Sequence, residues 1–113
     1  MTTDKTGAPT TVTAGTDRFT IAADGQRVGL VAFVDHNGQR IFLHTEVDAA
    51  YEGRGLAGIL VSEALSATRD AGLRIVAVCP MVAGYLDKHH DFDDVLDPLT
   101  ADVKRFLQTV QNG

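Results

Sequence analysis

Apolar residues along this chain follow two spacings, and the change comes at a cluster of glycines beginning at Gly53. Before it, Phe19, Ile21 and Ala23 alternate with polar neighbours, which predicts a strand ending at the turn Asp24-Gly25. Gly29 to Val34, GLVAFV, is a near-continuous apolar run and predicts a strand covered on both faces. Asn37-Gly38 then reads as a hairpin turn, because both residues tolerate a positive φ. Arg40 to Val47, RIFLHTEV, returns as a third strand.

Beyond the glycines the spacing lengthens. Leu56, Ile59, Leu60, Ala64, Leu65 and Ala67 lie on one side of a helix, with Ser62, Ser66, Arg69 and Asp70 opposite. Gly72 closes that helix. Arg74 to Cys79, RIVAVC, predicts a buried strand stopped by Pro80, and Met81 to His89 a short helix. DFDDVLDP reads as an acidic loop, after which Thr100 caps a helix with Val103, Phe106, Leu107 and Val110 in one stripe. Residues 1–15, rich in Thr, Gly and Ala, lack a periodic apolar pattern and are expected to be a disordered tail. Residues 16–113 are expected to form a single mixed α/β domain.

Composition narrows the function classes. A chain of 113 residues supports one core. Its net charge of −5 argues against nucleic-acid binding, which needs a basic face, and suits a cationic partner such as an amine. The single cysteine excludes an intrachain disulfide and points to the reducing cytoplasm. No apolar run reaches bilayer length, and no signal-peptide apolar stretch is visible, so no membrane partner is expected.

The stretch EGRGLAG, residues 52–58, contains a literal G-x-G-x-x-G ahead of the helix. A strand, a glycine turn and a helix N-terminus make a credible phosphate site, since the first-turn N–H groups lack intrahelical partners. A dinucleotide site also needs an acidic residue at the end of the next strand, to hold the ribose. That strand here ends Ala77-Val78-Cys79-Pro80, without a carboxylate. The dinucleotide reading fails on its context.

Residues 44–92, with HTEV, GRGLA, CP and a tyrosine on the following helix, together resemble the GNAT superfamily of acetyl-CoA-dependent N-acetyltransferases. More narrowly, they resemble its minimal, YjdJ-type branch. The resemblance implies an α+β fold: a mostly antiparallel mixed sheet with helices on both faces, here with an extra C-terminal helix. It implies that main-chain N–H groups of Gly53, Arg54, Gly55, Leu56 and Ala57 hold the pyrophosphate of acetyl-CoA, and that Val47 meets the pantetheine arm through its backbone. Glu52 departs from the Gln or Arg that usually opens the loop and sets an anion beside the diphosphate, with Arg54 at hand to offset it.

Acetyl transfer to an amine needs an acceptor for the amine proton and donors for the thioester oxyanion. His44 and Glu46, two apart on one strand, share a face, and histidine ordinarily titrates near neutrality. His44 is the first candidate base and Glu46 the alternative, acting through water. Paired with His44, Cys79 is a candidate nucleophile that would carry the acetyl group before passing it on. The resemblance implies a third role: Tyr85 protonates the departing thiolate. Direct transfer and an acetyl-cysteine route both remain open, as does the acceptor: a small amine or a protein or peptide amine. A CoA-binding module without turnover, or an interaction protein, is the rival class. Lys88-His89-His90-Asp91 with Asp93 and Asp94 lacks a metal-ligand spacing and reads as a solvated loop. Either a monomer or a homodimer through an open sheet edge is expected.

Overall fold

Positive φ at Asp24 (52°) and Gly25 (77°), and again at Asn37 (51°) and Gly38 (75°), marks two tight hairpin turns. They set the register of the sheet. The computed structural model describes residues 2–3 and 6–112, with side chains for residues 6–109. Its strands are β1 (Thr2–Thr3), β2 (Pro9–Ala14), β3 (Arg18–Ala23), β4 (Gln26–His36), β5 (Gln39–Val47) and β6 (Arg74–Ala77). They form one six-stranded sheet in chain order. All neighbours pair antiparallel except β5 and β6, which run parallel across the crossover helix α1 (Leu56–Asp70). Helices α2 (Pro80–Lys88) and α3 (Ala101–Asn112) complete the order. The α+β architecture expected from the sequence is the one observed.

The alternation of β3 aims Phe19, Ile21 and Ala23 at one face, where Leu56, Leu60, Ala64 and Leu65 of α1 and Val82 and Leu86 of α2 meet them. Phe33 lies between Phe19 and Phe42, with ring centroids 5.3 and 6.1 Å away. Among the described residues the other face is covered only near β6. There Val103 and Leu107 of α3 pack on Ile41 and Val76, and Phe106 stacks on His36 at 3.7 Å. Thr100 accepts a hydrogen bond from the Val103 N–H, 3.3 Å, and so caps α3. The Val110 side chain, expected in the same stripe, lies outside the described residues.

Four expectations change. Pro9–Ala14 belongs to the sheet and not to a tail. Its β-branched run TTVT favours extended backbone, Thr10 is buried, and Val12 packs on the core. Met1, Asp4 and Lys5, also assigned to the tail, lie outside the described residues. In GLVAFV, Val31 and Phe33 are buried beneath α1, whereas Leu30 and Ala32 on the opposite face are only half-buried, because α3 does not reach them. The acidic loop contains 3-10 turns over His90–Val95, which bury Phe92. Finally, β6 ends at Ala77, two residues early, for a reason that matters to the site.

The segment after those turns is tied to the sheet by Asp97. Its carboxylate accepts from Gln39 Nε2 at 2.7 Å and Arg74 Nε at 2.6 Å. Burial pushes this carboxyl up, but the Gln39 and Arg74 hydrogen bonds and the Arg74 charge together outweigh it and hold the group below its ordinary range. A carboxyl held low contributes stability that is whole above its unfolded pKa and is lost as pH falls through its folded pKa. Asp97→Asn is therefore expected to flatten the decline of Tm as pH falls below the ordinary carboxylate range of about 4, measured by thermal melts from neutral pH into acid. An unchanged acid slope would show that the Asp97 contacts contribute nothing.

Candidate functional site

The site begins with one extra residue in β5. Phe42 pairs with Phe33 and His44 with Ala32, which leaves Leu43 unmatched as a bulge. The bulge resets the phase of everything after it. Cross-strand partners share a face. Thr45 lies opposite buried Val31 and so faces α1, as does Val47, whereas His44 opposite Ala32 and Glu46 opposite Leu30 face away. There His44 Nε2 lies 3.1 Å from Glu46 Oε1, with side chains 60% and 63% exposed.

A second irregularity follows. The N–H groups of Val78 and Cys79 both donate to the Phe42 carbonyl, at 3.0 and 2.9 Å. The β5–β6 ladder closes at that point, because Pro80 starts α2 and turns the chain away. From Leu43 to Val47 the edge of β5 that faced β6 is left without a strand partner among the described residues. The two strands splay.

The splay opens into a cleft of about 720 Å³. Thr45, Glu46 and Val47 form one wall, Met81 stands across from them, and Gly53, Gly55, Leu56 and Ala57 form the end. The end wall is the start of α1. Its N-cap, Gly55, sits at φ 79° and offers no side-chain acceptor, and the first turn carries no acidic residue. The first-turn N–H groups therefore face an anion-sized space with the positive end of the helix dipole behind them. Gly53 at φ 80° shapes the same loop.

The sequence-predicted residues separate into four groups. Val47, Gly53, Gly55, Leu56, Ala57 and Glu46 line the cleft. The Arg54 side chain turns elsewhere: its guanidinium lies over the Tyr51 ring at 4.8 Å, and Nη2 donates to Thr6 Oγ1 at 3.0 Å. Tyr85 lines a neighbouring groove with Lys88 and His89 that shares Ala57 and Met81 with the cleft, and its ring stacks on His89 at 4.3 Å. The pairing of His44 with Cys79 does not occur. Cys79 is 4% exposed and its Sγ lies 3.2 Å from Thr45 Oγ1, on the face away from His44. The bulge at Leu43 puts the hydroxyl where strict alternation puts the imidazole. Asp48, Tyr51 and Met81 line the cleft as well and were not singled out in the sequence, although the place of Met81, directly after Pro80, was a usable signal. Among the described residues no three His, Cys, Asp or Glu side chains converge as metal ligands, and no helix is long and apolar enough to cross a membrane.

Residues 18–95 match the family model described as GCN5-related N-acetyl-transferase. The chain is also similar to a solution structure from Staphylococcus aureus described as GCN5-like, with 22% identity and a TM-score of 0.62, over 80% of this chain and 91% of that one. At that identity the likeness is one of fold. No curated protein matches the chain.

Proposed function

The chain belongs to the GCN5-related N-acetyltransferase family, a family of acyltransferases, and from that membership we propose that it moves the acetyl group of acetyl-CoA directly onto a primary amine. One observation carries the reading: the unpaired edge of β5 runs, within a single cleft, into a helix start that has no side-chain cap. An extended amide-bearing arm suits the first, and a diphosphate suits the second. Acetyl-CoA supplies the activated thioester. The N–H groups from Gly53 to Ala57 hold its pyrophosphate, and the Val47 backbone meets its pantetheine arm.

His44, with Glu46 against its Nε2, takes the proton that the amine loses on attack. Tyr85 supplies a proton to the departing thiolate from the groove that adjoins the cleft. Direct transfer is favoured over an acetyl-cysteine because the thiol is buried against a hydroxyl, with the imidazole on the other face. We place the domain in the minimal, YjdJ-type branch, since β3 passes to β4 through a two-residue turn with no helix between them, and in the cytoplasm on its lone thiol.

A CoA-binding module without turnover is the second reading. It is favoured by Glu52, which lines the cleft beside the glycine loop and brings an acidic residue to the end where a diphosphate would lie. Calorimetric titration with acetyl-CoA, and with NADH as control, tests the shared premise. Saturable binding of acetyl-CoA alone is expected. Absence of any acetyl-CoA heat at millimolar ligand and several temperatures would end both readings. Thiol release in the presence of amines separates transferase from module.

A further inference from the structure

The half of the sheet face away from α1 that no described residue covers is charged in an ordered way. Register places Arg18, Thr20, Arg27, Leu30, Ala32, His44 and Glu46 together on it, since Thr20 pairs with Leu30, Ala22 with Arg27, and Leu30 with Glu46. A trough of about 290 Å³ lies there, with Arg18 and Thr20 on β3, Arg27 and Leu30 on β4, and Glu46 and Asp48 at the far side. Glu46 and Asp48 also border the acetyl-CoA cleft, so the two hollows meet at those residues. One side of the trough is thus cationic, and the other, beside the site of transfer, is anionic. Among the described residues Arg27 makes no ion pair, and Arg18 donates through Nε to Asp17 at 3.1 Å.

We infer that the acceptor is a small amine that carries its own carboxylate, bound in this trough with the carboxylate toward Arg18 and Arg27 and the amine toward Glu46. The inference rests on the acetyltransferase reading and names its substrate class. Three observations support it. The polarity of the trough matches a dipolar molecule in one orientation only, which sends the amine to the junction with the cleft. Guanidinium groups match the planar carboxylate through paired N–H donors. The volume, at the lower limit of ordinary ligand pockets, suits a small molecule and not an extended polymer. Glu46 and Asp48 attract the cationic form of the amine, and His44 beside Glu46 is placed to receive a proton as the amine attacks.

The test is thiol release from acetyl-CoA with glycine, β-alanine and γ-aminobutyrate, each run against its own amide, which keeps the shape and removes the negative charge. At least one of these acids is expected to show a kcat/KM about tenfold or more above its amide, the value of a charge-assisted hydrogen bond. Arg27→Glu, at an exposed strand position, is expected to bring that ratio below one. Arg18→Gln serves as the second variant should the first lose the fold, and is expected to reduce the ratio toward one. Amides accepted as well as acids by the wild-type protein would overturn the inference. Saturable acetyl-CoA binding with none of the acids accepted would overturn it too, while leaving the family reading in place. Loss of acetyl-CoA binding itself would remove the reading beneath it.

Discussion

Ala57→Glu is expected to weaken acetyl-CoA binding by a factor of about 100 or more while leaving the fold as stable as before or slightly more so. Ala57 is the second residue of α1 and lines the end wall of the cleft. A carboxylate there meets the helix dipole favourably, worth about 0.3–1 kcal/mol, in a first turn that has no acid at present. The same carboxylate repels a diphosphate. Two unit charges about 4 Å apart at an effective dielectric near 20 interact by about 4 kcal/mol, so the repulsion dominates the ligand's balance. Stability and affinity should therefore move in opposite directions, which misfolding cannot imitate. Ala57→Gln separates charge from bulk, since it has nearly the same size and should lose far less affinity. Titration calorimetry and thermal melts on the three proteins decide the matter. Unchanged affinity in Ala57→Glu would mean that the start of α1 holds no phosphate.

That helix start was legible in the sequence because its determinants are local. The shift from two-residue to helical spacing, the glycines before Leu56 and Gly72 after the last turn all lie within one stretch of chain. The Asn37-Gly38 turn was legible for the same reason. The threonine-rich β2 also had a local signal, its β-branched run, but on its inward face only Thr10 and Val12 are covered, so its apolar pattern is too sparse to mark a strand. The arrangement of the site was less legible. A strand read as strict alternation places His44 on the face of Phe42, toward Cys79. The bulge at Leu43 reverses every residue beyond it, and nothing in RIFLHTEV marks where an extra residue sits. The early end of β6 has the same character: Pro80 marks a stop, but the double use of the Phe42 carbonyl that begins the splay is a three-dimensional fact.

The geometry produced by that bulge separates two variants that the sequence alone would treat alike. His44→Ala is expected to lower kcat by about 100-fold or more, the usual contribution of a positioned general base. Cys79→Ala is expected to leave kcat on the order of the wild-type value, at a stability cost of about 1 kcal/mol for a small cavity. The contrast follows from position. His44 stands on the open face with Glu46 at its Nε2, beside the trough where an amine can arrive. Cys79 is 4% exposed, bonded to Thr45 and absent from the cleft lining, whereas a thiol nucleophile needs access to the thioester and a base to take its proton. Steady-state kinetics with saturating acetyl-CoA gives kcat for both variants, and circular dichroism confirms that each remains folded. Incubation of the wild-type protein with acetyl-CoA and no amine adds a direct readout by intact mass. Direct transfer predicts no stoichiometric acetyl adduct. An acetyl group on Cys79, together with loss of turnover in Cys79→Ala equal to that in His44→Ala, would sink direct transfer and require the strand ends to move until thiol and imidazole meet.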